Sequence, residues 1–154
     1  MIFFRPTALA AIVVLGIVAT PTSIVAQSKA KPTLDYDFYK ARIEPIFLKK
    51  KAGHTRCVVC HSESNNFLRF EPLSPGAKTW SDEQSRKNFE AVSKLVNPGE
   101  PMVSRLLMHP LAPEGGGDVY HSGGRQFMSV YDPDWKTMAA FVNVATLGGR
   151  PKKN

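Results

Sequence analysis

The feature that most constrains this chain is a five-residue run, Cys57-Val58-Val59-Cys60-His61, which holds both of its cysteines. A disulfide across two intervening residues closes a tiny loop and removes little entropy from the unfolded chain, so a structural bridge explains the pair poorly. Residues three apart on a helical turn lie on nearly one face. Two sulfurs placed this way reach the same edge of a flat ligand, and His61 is carried over its plane. That is the C-x-x-C-H arrangement for covalent haem attachment, in which each sulfur joins one vinyl group and the imidazole takes the iron. The run occurs once, which predicts one haem c held by Cys57, Cys60 and His61. A thioredoxin-like redox pair needs a βαβ setting, and the pattern offers none. A zinc site built from Cys57, Cys60 and two histidines needs a second close ligand pair, and none follows at finger spacing.

The start of the chain reads as an export signal. Met1–Pro6 carries Arg5 as its only charge, Ala8–Thr20 is apolar and uncharged, and a small residue, Ala26, precedes Gln27. This order predicts a signal peptide over 1–26 with cleavage near Ala26–Gln27, and a periplasmic or otherwise exported protein. The apolar run is shorter than the roughly 20 residues of a membrane span, so no stable membrane insertion is expected after cleavage. The remainder is the size of one domain. The formal net charge is +7. Such a surface suits docking on an acidic redox partner or an anionic membrane as well as plain solubility. Export and the scatter of basic residues argue against nucleic acid.

The mature chain reads as all-α, with 27–34 a flexible lead-in, 35–149 one domain and 150–154 a basic, frayed tail. Asp35 is a good cap for a first helix whose Tyr39, Ile43 and Phe47 form a stripe. Pro45 predicts a kink or two shorter helices. Lys49–Lys51 and Gly53 close this helix, and a haem-bearing turn is expected over about His54–His61. The polar stretch 62–79 reads as loop, with Phe67–Phe70 apolar enough to cover a haem edge. Ser81 and Gln84 make a capping box for a helix burying Phe89, Val92 and Val96, which Asn97-Pro98-Gly99 stops. Pro101–Met108 suits a short helix and 111–124 a glycine-rich loop. Asp132-Pro133 opens a last helix burying Trp135, Met138, Ala139 and Val142, with Gly148 as its stop.

An electron carrier needs a second axial ligand, and the candidates are Met102, Met108, His109, His121 and Met128. Met102 and Met108 sit in apolar helical patterns and read as core. His109 ends a helix, where capping carbonyls is its ordinary role. Met128 falls shortly before the last helix, where small cytochromes carry a methionine ligand. His121 lies between Gly115–Gly117 and Gly123-Gly124, where backbone can approach a flat ligand closely. The reading prefers His121, with Met128 and His109 left open; methionine would raise the reduction potential relative to histidine.

The combination CVVCH, then SRLLMHPLAPEGGGDVYHSGG, then DPDWKTMAAFV resembles the monohaem c-type cytochrome domains of the planctomycete and acidobacterial type. The likeness runs from about Tyr36 to Gly148. It implies a cytochrome c-like helical domain wrapped around one haem, six-coordinate iron and an electron-transfer role beside periplasmic oxidoreductases. It also implies His121, from the H-x-G-G element, over Met128. Phe141 departs from the tryptophan that many relatives carry. The alternative reading is a peroxidase-like haem enzyme or gas sensor with an open sixth position, in which His109 or His121 is a distal group. No catalytic acid–base pair or nucleophile stands out beside the haem motif.

Overall fold

Asp35 opens the first helix: its carboxylate accepts the Phe38 backbone N–H at 3.0 Å. The computed structural model describes residues 1–2, 33–63 and 65–143. The expected cleavage site, the stop at Gly148 and the basic tail lie outside them.

After α1 (Tyr36–Phe38) the chain enters a π-helical segment, Tyr39–Ile43, and returns to α geometry in α2 (Glu44–Leu48). Pro45 accounts for the change. It has no N–H to give, and its ring presses on the carbonyl one turn earlier. The preceding turn widens, and the Glu44 N–H reaches back to the Tyr39 carbonyl, five residues away. The expected kink therefore takes the form of a π turn just before the proline. Tyr39, Ile43 and Phe47 are buried, so the stripe survives the change of register.

The helix carrying both cysteines, α3 (Cys57–Glu63), starts three residues later than the expected His54. A turn at Gly53, whose φ is +75°, occupies that stretch, and the His54 N–H is bonded to Lys51 O. Then α4 (Asp82–Ser93) begins at Ser81, with both bonds of the capping box present. It buries Val92 as expected, but also Ser85 and Asn88. Asn88 accepts the Glu71 N–H at 2.7 Å, and Trp80 Nε1 donates to Glu71 O at 2.6 Å. These bonds hold the strand-less segment before α4 against the core, where Phe70 lies between Phe47 and Trp80.

The helix expected over Pro101–Met108 is split. A 3-10 turn, Pro101–Val103, and α5 (Arg105–Met108) meet at Ser104. The Ser104 hydroxyl is buried and bonds to Glu100 O at 2.9 Å while accepting the Asn97 N–H at 2.9 Å, which fixes the break. Met102 is 47% exposed, a correction to its expected place in the core, because the 3-10 turn faces it outward. Met108 is partly buried against the core.

In α6 (Pro133–Asn143), Asp132 caps the N–H groups of Asp134 and Trp135. Its inner face buries Trp135, Met138, Ala139 and Val142 together with Phe141. Phe141 meets the rings of Phe38, Tyr39 and Phe89. The first and last helices are thereby joined. Among the described residues the fold is helical, with an isolated bridge from Leu111 to Phe127 and no strand. None of the described helices is long and apolar enough to cross a membrane.

Candidate functional site

Val58 is 3% exposed and anchors α3 in the core. That burial turns Cys57, Cys60 and His61 toward a cavity closed on its other sides by Leu68, Leu106, His109, His121, Phe127 and Met138. The cavity itself is about 120 Å³, and the space reaching out into open solvent about 970 Å³. Arg56 and Arg105 also line it. No disulfide joins Cys57 and Cys60. Burial raises the Cys57 thiol pKa above its ordinary value.

His61 sits on the last turn of α3 with its Nδ1 2.7 Å from Leu68 O. His121 sits on the loop that returns over the cavity, its Nδ1 2.6 Å from Gly124 O. A carbonyl only accepts, so each Nδ1 carries the proton and each Nε2 keeps a lone pair. A carbonyl or carboxylate partner on the second ring nitrogen is the usual preparation of a metal-bound histidine. The two rings are 6.3 Å apart, centre to centre, with planes 28° from parallel. With imidazole–metal bonds of about 2.0 Å and ring centres roughly 1.1 Å behind each nitrogen, two axial histidines stand about 6 Å apart. The observed separation of ring centres is close to that value.

Both histidines are held below their ordinary pKa. Burial is the main cause for each, opposed by the carbonyl bond, with the neighbouring His109 a smaller cause in the same direction as burial. At neutral pH both are therefore neutral, the form that ligates metal.

The His121 loop is placed by glycines. Gly116 turns with φ +92°, and Gly117 approaches Leu111 so closely that an added Cβ would lie 2.0 Å from Leu111 O. The Gly117 N–H bonds Ala112 O and the Asp118 N–H bonds Met108 O, each at 3.0 Å. Gly124, at φ +77°, lets the turn close onto His121.

Of the five sixth-ligand candidates, only His109 and His121 line the cavity. Met128 is 67% exposed. His109 Nδ1 is 2.8 Å from Asp118 Oδ2, and its ring is 5.0 Å from that of His121, nearly edge-on. Asp118, and the carbonyls of Leu68 and Gly124, are participants that sequence reasoning missed. Only Asp118 left a signal, as one of two acids, with Glu114, between the two histidines.

Phe70 is core, whereas Phe67 is 83% exposed at the cavity rim beneath the Arg105 guanidinium, 4.8 Å away. The cluster Lys49–Lys51 is largely committed within the molecule. Lys49 pairs with Asp134 at 2.9 Å and Lys51 with Asp132 at 3.2 Å. Among the described residues no group of three or more His, Cys, Asp or Glu side chains is gathered as a self-sufficient metal site. No protein-family model, curated protein or solved structure matches the chain.

Proposed function

We propose that this chain is an exported monohaem c-type cytochrome that carries single electrons between redox proteins. The observation that carries the reading is the pair His61 and His121, ring centres 6.3 Å apart, lining one cavity with Cys57 and Cys60. When bound, a haem supplies the one-electron redox centre.

The chain's residues do the rest. Cys57 and Cys60 would hold the cofactor covalently, and His61 and His121 would offer it neutral Nε2 atoms. The carbonyls of Leu68 and Gly124 fix the orientation and tautomer of each ring. Leu106, Phe127 and Met138 exclude water, which limits the solvent rearrangement that accompanies a change of charge. Arg56 and Arg105, which line the cavity, would supply cations for the cofactor's carboxylates. Two histidines also imply a lower potential than a histidine–methionine pair.

Redox partners with acidic surfaces would find Lys50 and Arg56 rather than the full lysine cluster, since Lys49 and Lys51 are paired with α6. Mass spectrometry of the exported protein tests the reading. The peptide carrying Cys57 and Cys60 should bear one haem, and C57S/C60S should bear none; an unmodified wild-type peptide defeats it. The second reading, an enzyme or sensor with an open sixth position, draws on the carboxylate-backed His109 beside the cavity.

A further inference from the structure

The wall of the cavity near His121 carries two imidazoles rather than one. His109 and His121 both line it, with ring centres 5.0 Å apart and planes at 85°. His109 is prepared in the same sense as the other two: Asp118 Oδ2, at 2.8 Å, accepts from its Nδ1, which leaves the Nε2 lone pair available. A carboxylate behind an imidazole makes it a stronger donor than a carbonyl does.

The two residues differ in how firmly they are held. His109 caps α5, its N–H bonded to Arg105 O at 3.1 Å. Asp118 is tied back to Met108 O. Val119 and Tyr120 are 82% and 72% exposed, and the loop around His121 is held by its turn to Gly124 and by Arg125 and Gln126, which donate to Val119 O and Gly123 O at 3.2 Å each. Segments with few buried contacts open at low cost. Movement at 119–124 would break only these ties and leave the backbone bonds of His109 and Asp118 in place.

We propose that His109, backed by Asp118, is a standby axial ligand that takes the sixth iron position when His121 leaves it. The inference rests on the reading of the cavity as a two-histidine haem site. It gives the domain two closed coordination states, and a loop movement at 119–124, such as a partner contact would cause, exchanges them. It assigns Asp118 a positioning role in the second state only.

The test uses the haem-loaded protein and reads the iron spin state by absorption and electron paramagnetic resonance, and carbon monoxide uptake after reduction. H121A should remain low-spin and take up carbon monoxide slowly, because His109 closes the site. H109A/H121A should be high-spin and take it up rapidly. H121A/D118N should fall between them, with His109 held about tenfold more weakly, the usual cost of removing an outer partner of a metal-bound histidine. H121Q retains an amide for Gly124 O and serves if H121A does not fold. A high-spin H121A or H121Q that takes up carbon monoxide as fast as the double variant overturns the inference. Wild-type protein that lacks haem, or is itself high-spin and open to carbon monoxide, defeats the underlying reading instead.

Discussion

Gly117 offers the sharpest test of how the His121 loop is built. Its φ lies outside the left-handed range, so glycine is not required there for backbone freedom. It is required for space. A Cβ at this position would sit 2.0 Å from Leu111 O, 2.5 Å from Leu111 C and 2.7 Å from Leu111 Cβ. Those atoms are backbone or adjoin it, and Leu111 is itself fully buried, so the neighbour cannot swing away. Overpacking costs about 1–3 kcal/mol, and an unyielding contact belongs at the upper end. G117A should therefore destabilise the haem-loaded protein by about 3 kcal/mol. At roughly 4 °C per kcal/mol for a domain of this size, the melting temperature should drop by about 12 °C.

The control is G53A. Nothing lies within 4 Å of a Cβ there, and the φ of +75° is the only obstacle, worth about 1 kcal/mol. Thermal unfolding followed by far-ultraviolet circular dichroism compares the two. G117A should also admit carbon monoxide faster, because the Gly117 and Asp118 backbone bonds locate the ligand loop. If G117A melts no lower than G53A, the close-approach argument is wrong.

Three further outcomes are expected. His61 and His121 have folded pKa values below their ordinary 6.5; the unfolded chain then binds more protons in the window below 6.5, so stability is full above it and falls as pH drops. The guanidinium midpoint should be lower at pH 5.5 than at pH 7.5, and a midpoint that rises on acidification contradicts this. Lys40 bonds Ser85 Oγ at 2.6 Å and Glu44 at 3.4 Å, and Glu44 is 4% exposed. K40M should cost about 2 kcal/mol, reduced from the full buried-pair value because Lys40 is partly exposed, and K40M/E44Q should recover most of it in urea unfolding. F141A removes a fully buried ring shared by both terminal helices and should cost about 4 kcal/mol; a loss under about 1 kcal/mol would mean that the core is not arranged as described.

What could be read from the sequence was local. Asp35, Ser81 and Asp132 mark helix starts because a side chain bonding two or three residues ahead needs no distant partner. The Tyr39–Ile43–Phe47 stripe is legible for the same reason. The π turn was not, since the proline specifies an obstruction but not how the helix accommodates it. The burial of Ser85, Asn88 and Ser104 depends on partners brought in by folding, as does the pairing of Lys49 and Lys51 with α6. In the site, the cysteine–histidine spacing and the glycines around His121 single out the chemistry-bearing residues. The facing of His61 and His121, and the carbonyls behind them, arise only when α3 and the 117–124 loop meet across the cavity.

The central claim is a haem iron closed by two histidines. Absorption spectra of the purified protein, oxidised, reduced and reduced under carbon monoxide, test it most directly. The account predicts a c-type spectrum without the far-red sulfur–iron band and with little immediate change under carbon monoxide. A sulfur–iron band would place a methionine on the iron, rapid carbon monoxide uptake would open the sixth position, and a protein without haem would contradict the account outright.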